Sequence, residues 1–132
     1  MRAVLADTGP LLALTVRQDQ LHLRALEERR RLQQENLRVV VGYPTLYETY
    51  SLLLRHIRPS AAHRWRQQLA QNLGHLTPTV ADYEAAARKV ERYADQALSL
   101  FDGMVAVLSE RLEVPIWTFD ADFDVMRADV WR

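Results

Sequence analysis

Apolar residues recur along this chain in two rhythms. Short, largely apolar runs at Ala3 to Ala6, Leu37 to Val41 and Ile116 to Phe119 are separated by longer stretches where leucine and alanine return every three or four positions. The first rhythm predicts buried strands and the second predicts helices with one face in a core. A brief extended piece is expected near His75 to Thr77. Asp7-Thr8-Gly9-Pro10 reads as a turn before a helical start at Leu11 to Val16. A helix opening at Asp19 or Gln20 and reaching Glu35 carries an imperfect stripe of Leu21, Leu23, Leu26 and Leu32. Gly42-Tyr43-Pro44 is expected to break the second strand before a helix from Thr45 to Ile57. Three more helices are expected, one after the Arg58-Pro59-Ser60 break to about Leu73, one from Asp82 to Ala94 and one from Leu100 to Leu112. Strands alternating with covering helices imply an α/β fold with a mostly parallel central sheet.

At 132 residues the chain suits one ordinary core, so a single domain over residues 1–132 is expected. The 48% hydrophobic and 26% charged composition is that of a soluble globular protein, which argues against disorder. No apolar run is long enough to cross a membrane, and MRAVLADTG turns acidic before it could serve as a secretory segment. With no cysteine there is no disulfide and no thiolate metal site. A cytoplasmic location without membrane partners is the resulting expectation. Charge balance is the awkward feature for a protein that would handle nucleic acid: 17 basic residues meet 17 acidic ones, so no global positive field steers polyanions. Local clusters at Arg29-Arg30-Arg31, Arg64/Arg66 and Arg88-Lys89/Arg92 are either solvated helix faces or contacts to phosphate or an acidic peptide.

Four acids stand where a strand ends or a helix begins: Asp7, Glu48, Asp102 and Asp120. Open α/β sheets form crevices beyond the carboxyl ends of their strands, which gives these acids a common address. Thr45-x-x-Glu48 and Ser99-x-x-Asp102 both have capping-box spacing, so each acid could serve only its own helix end. The two roles are compatible, because one carboxylate oxygen can cap while the other faces a cation. On the helix opened by Asp102, Phe101, Met104, Val105, Leu108 and Leu112 form an apolar face, and Ala106 and Ser109 leave room beside the acid. Tyr43, Tyr47 and Tyr50 either pack in the core or line the cleft and stack bases. His22, His56, His63 and His75 are scattered and form no convincing site.

The chain resembles the PIN-domain nucleases, most of all the small VapC-type toxin ribonucleases, over nearly its whole length. Asp7 in VLADTGPLLAL, Glu48 in VVVGYPTLYE and Asp102 in LSLFDGMVAVL match the family's first three acidic positions in order, and TFDADF matches its final motif, with Thr118 and Asp120 in place and Asp122 as an auxiliary acid. Gly103 beside Asp102 is less usual than alanine and is expected to loosen that helix start. The resemblance implies endoribonuclease activity on single-stranded or loop RNA, a homodimer and an inhibiting antitoxin protein. Crowded carboxylates call for a divalent cation, with Mg²⁺ the expected partner and Mn²⁺ a substitute. Asp7, Glu48 and Asp102 are the principal ligand candidates, with Asp120 direct or through water. Thr8 and Thr118 could orient waters or phosphate, or cap the backbone locally. Trp65, Leu69, Leu32 and Leu26 are candidates for the dimer surface. A different class is a PIN-like module that chiefly binds RNA or protein and cleaves weakly. The N-terminal Asp-x-Asp of covalent phosphatases and any Gly-rich nucleotide loop are missing, which leaves those chemistries little support.

Overall fold

A computed structural model describes residues 2–132, apart from the side chain at position 70; residue 1, where the expected domain begins, lies outside it. Strand β1 (Ala3–Ala6) leads into α1 (Thr8–Thr15) and α2 (His22–Gln34). Next come β2 (Arg38–Gly42), α3 (Tyr43–His56), α4 (Pro59–Asn72) and β3 (Gly74–Leu76). The chain ends with α5 (Val80–Arg92), α6 (Leu100–Leu112), β4 (Ile116–Trp117) and α7 (Asp122–Val125). All strand pairs are parallel, in the order β3-β2-β1-β4. The chain therefore steps outward from β1 through β2 to β3, then returns to lay β4 on the other side of β1. That reversal opens a crevice beyond the carboxyl ends of β1 and β4.

Helices cover both faces of the sheet, which is why β1 is wholly apolar and wholly buried. One core layer joins Leu5, Val40, Met104, Leu108, Ile116 and Phe123, and the other joins Val4, Ala6, Leu11, Leu32, Val41 and Trp117. Alternate residues of β1 thus feed opposite layers, and each fully buried Leu or Val contributes about 1.5–3 kcal/mol.

Two expected turns are helix starts instead. Asp7 is the N-cap of α1, and Pro10 falls in its first turn, where a missing N–H has no helical acceptor to disappoint. Gly42 is likewise the N-cap of α3, with Pro44 in the first turn. The Thr45–Glu48 capping box is therefore not formed. Thr45 lies inside the helix and is buried, its carbonyl accepting a 2.8 Å bond from the Thr49 hydroxyl. The Ser99–Asp102 box does form, at 3.0 and 3.1 Å, and an unexpected Thr79–Asp82 box starts α5 two residues early.

Helix α6 is buried along Gly103 to Ser109, so its small residues serve packing rather than space beside Asp102. The Ser109 hydroxyl donates to Val114 O at 2.6 Å, and Phe101 points outward, 40% exposed, instead of joining the apolar face. A Cβ at Gly103 would stand 2.9 Å from both Ala86 O and Val90 Cγ2, so glycine here lets α6 close on α5. Close approach, rather than a loosened helix start, is its consequence. Among the described residues no helix is long and apolar enough to cross a membrane.

Candidate metal and phosphodiester site

Asp7, Thr8, Glu48, Asp102 and Asp120 line one open cavity of about 490 Å³, together with Gly9, Phe119 and Ala121. The carboxylates arrive from four separate segments: the end of β1, the second turn of α3, the first turn of α6 and the loop after β4. Burial differs among them. Asp7 is 8% exposed, Glu48 and Asp102 are half-buried, and Asp120 is exposed.

Hydroxyls hold these acids from behind. Thr118 Oγ1 donates to Asp7 Oδ2 at 2.8 Å and accepts from the Asp120 amide at 3.0 Å, so one threonine sets both acids at the β1/β4 edge. Thr8 Oγ1 donates to Glu48 Oε1 across the α1–α3 junction. Asp120 Oδ1 accepts from the Asp122 amide at 2.9 Å, a local turn that brings Asp122 back toward the cavity. Carboxylate oxygens of Asp102, Asp120 and Asp122 lie within 4.8 Å of one another. Asp122 thus stands beside the outer acids, while Asp7 and Glu48 form the inner wall.

Electrostatics match this arrangement. Burial raises the Asp7 carboxyl from 3.8 to about 6, with Asp102 and Asp120 adding to the rise and hydrogen bonds from Thr118 and the Thr8 amide opposing it. Burial also raises Glu48, helped by Asp102 and opposed by Thr8. Asp122 is raised chiefly by the charge of Asp120. None of the residues lining the cavity is basic, so no lysine or arginine there neutralises the four acids. An all-oxygen donor set with uncompensated negative charge fits a hard divalent cation such as Mg²⁺ or Mn²⁺.

Sequence reasoning did not single out Thr49. Its side chain is fully buried behind Thr8, with the hydroxyl oxygens 3.5 Å apart, and only its i+4 spacing from Thr45 hinted at an inward position. Three of the four histidines have structural partners: His22 meets Ala13 O, His75 meets Leu69 O and His63 meets the Tyr50 hydroxyl. Tyr50 accordingly faces α4 rather than the cleft. Tyr43 and Tyr47 stack with centroids 6.2 Å apart and line an adjoining apolar cavity with Glu48, Tyr83 and Phe101. Of the basic clusters, Arg30 pairs with Glu27, and Lys89 is buried against Glu110 at 2.8 Å, which removes it as a phosphate contact.

Comparison with known proteins agrees with this fold. The PIN domain pattern matches residues 4–128. Among solved structures, Mycobacterium tuberculosis VapC20, a Sarcin-Ricin loop cleaving toxin, superposes with a TM-score of 0.84 at 22% identity, covering 98% of this chain and 99% of that one. VapBC2 from Rickettsia felis, bound to a DNA fragment from its promoter, gives 0.72 at 10% identity over 98% and 97% of the two chains. VapBC-1 from nontypeable Haemophilus influenzae gives 0.70 at 16% over 98% and 96%. No curated protein matches the chain by sequence. The shared fold and the acidic cluster support a PIN-like nuclease function. A domain pattern that spans almost the whole chain makes it a member of the PIN-domain family.

Proposed function

We propose that this chain is a divalent-metal-dependent endoribonuclease and the toxin of a toxin–antitoxin pair, acting as one nuclease domain. The observation that carries the reading is the convergence of Asp7, Glu48, Asp102 and Asp120 on one open cavity without a basic residue in its lining. Those four side chains would hold Mg²⁺ or Mn²⁺, with Asp122 assisting from outside. The bound cation would supply charge neutralisation at the phosphate and a lowered pKa for an attacking water. Thr118 fixes Asp7 and Asp120 in register, and Thr8 fixes Glu48, so the acids are positioned before substrate arrives. Openness of the cavity suits a polymer entering from the side, with cleavage leaving 5′-phosphate and 3′-hydroxyl ends. The RNA preference and the antitoxin follow from kinship with toxins such as VapC20 and with the VapBC complexes.

A homodimer belongs to the same proposal. Of the surface expected from sequence, Leu32 is 1% exposed and cannot pair two copies, Trp65 and Leu69 are half-buried against the core and Leu26 is 39% exposed, whereas Tyr43, Tyr47, Tyr83, Leu100 and Phe101 expose 38–49% of their surface together beside the site. Removing metal with chelator and restoring it tests the activity. Cleavage of a labelled RNA should vanish with EDTA and return with Mg²⁺ or Mn²⁺, giving 5′-phosphate ends. Undiminished cleavage in EDTA would overturn the reading.

A further inference from the structure

Beside the carboxylate cavity lies a second one of about 290 Å³, and the two share Phe119, Asp120 and Ala121 as a common wall. Arg24 and Arg31 of α2 stand on its far side, with Trp131 and Arg132 from the C-terminal segment. We propose that this cavity is a nucleotide subsite that receives the RNA backbone next to the scissile phosphate, with Arg24 and Arg31 as the phosphate contacts. The inference rests on the endoribonuclease reading above.

Three observations carry it. First, both guanidinium groups are held against aromatic rings: Arg24 Cζ lies 4.6 Å from the Phe119 ring centre, and Arg31 Cζ lies 4.6 Å from that of Trp131. Planar stacking orders an arginine while leaving donors at its edge, which is the form that matches a phosphate.

Second, those donors are largely unspent. Arg24 uses Nε on Glu28 at 2.7 Å, leaving its two terminal amino groups. Arg31 has only Glu35 Oε2 at 3.7 Å, beyond hydrogen-bond distance. Of the three carboxylates in the lining, Glu28 also accepts from Trp117 Nε1 at 2.8 Å and Asp124 is clasped by Arg132 at 2.7 and 2.8 Å, while Asp120 belongs to the carboxylate cavity on the shared wall. Third, Arg24 and Arg31 are seven residues apart on one helix face, about 10 Å along the axis, which suits two phosphates better than one. Neutral net charge conceals this arrangement, because the lining itself sets three arginines against three carboxylates and what is free is the unspent donors of Arg24 and Arg31.

The test is binding of a fluorescein-labelled 12-nucleotide single-stranded RNA by the full chain in EDTA, followed by anisotropy across a NaCl series. Each lost phosphate contact should reduce the magnitude of the slope of log K against log [salt] by about 0.7 for single strands. Arg24→Gln/Arg31→Gln should therefore bind at least tenfold more weakly, with a slope shallower by about 1.4. Arg29→Gln, on another face of α2, should leave the slope unchanged, and Arg31→Gln alone should lower it by about 0.7 if the double variant does not fold. In steady-state cleavage with Mg²⁺ the double variant should raise KM while kcat stays within twofold.

Unchanged affinity and slope in the folded double variant would overturn the subsite and leave the nuclease reading standing. Wild-type protein that binds RNA but never cleaves would sink the nuclease reading, while the slope comparison would still decide the subsite. A double variant that loses binding of poly-glutamate but keeps RNA binding would assign the cavity to an acidic protein segment and overturn the proposal.

Discussion

Replacing Asp7 by asparagine should stabilise the metal-free protein at neutral pH while disabling it. Asp7 is 8% exposed, and its carboxyl stands at about 6 in the folded chain against an ordinary 3.8. Between those two values the folded state holds a proton that the unfolded chain has released. Stability therefore falls as pH rises through that window, and the penalty is complete above about 6. At 1.36 kcal/mol per pH unit the difference is worth about 3 kcal/mol. Asparagine keeps a side-chain oxygen for the Thr118 hydroxyl and carries no charge to bury, so it escapes the penalty. Urea unfolding in EDTA should show the variant more stable by about 3 kcal/mol at pH 7.5, roughly a 9 °C gain in melting temperature for a chain of this size. Near pH 4 the two proteins should converge, since wild-type Asp7 is then protonated in the folded state. Added Mg²⁺ should raise wild-type stability more than the variant's, because the variant keeps Glu48, Asp102 and Asp120 but loses one of the four carboxylates proposed to hold the ion. A variant no more stable than wild type at pH 7.5 without metal, or a gain independent of pH, would refute the reasoning.

Further outcomes can be checked on the same preparations. At limiting Mg²⁺, cleavage should decline as pH falls through about 6, because the proton competes with the cation for Asp7, and excess Mg²⁺ should move the decline to lower pH; a pH profile that does not respond to Mg²⁺ concentration would count against Asp7 as a ligand. Asp122→Asn should reduce cleavage less than Glu48→Gln, since Asp122 touches the cluster only from its outer side; equal losses in single-turnover assays would promote Asp122 to a principal role. Gly103→Ala should destabilise by about 1–3 kcal/mol, because its methyl would meet Ala86 O and Val90 Cγ2 at 2.9 Å; an unchanged denaturation midpoint would show that α5 and α6 can part. Light scattering at tens of micromolar should report a dimer, and Tyr47→Glu with Phe101→Glu should yield monomers.

Much of the fold was legible because buried parallel strands leave a blunt mark. The run Ala3 to Ala6 sits in the sheet centre with helices on both faces, so it shows no alternation and no ambiguity. The bounds of α6 were legible for a related reason, a Ser99 cap followed by an apolar helix. Helix starts misled where proline and glycine carry two meanings. Pro10 and Pro44 mark a turn and a helix's first turn equally well, and only the register of β1 and β2 against their neighbours decides. Glu48 lies in the second turn of α3 and the Thr45 spacing that drew attention to it forms no cap, whereas Asp7, Asp102 and Asp120 were legible because each follows a strand or opens a helix. Their rank was not: burial of Asp7 and exposure of Asp120 depend on how Thr118 ties β4 to β1 across 111 positions of sequence. The Arg24–Phe119 and Arg31–Trp131 contacts are equally remote in sequence, and net charge conceals them.

Cleavage of one labelled RNA by Asp102→Asn tests the central claim most directly. Asn preserves the size of Asp102 and a side-chain oxygen for the Ser99 amide, while removing the charge a cation needs. With Mg²⁺ present and an unfolding curve showing the fold intact, the account predicts a loss of at least about two orders of magnitude in single-turnover rate. Cleavage by pure Asp102→Asn protein at the wild-type rate would contradict it.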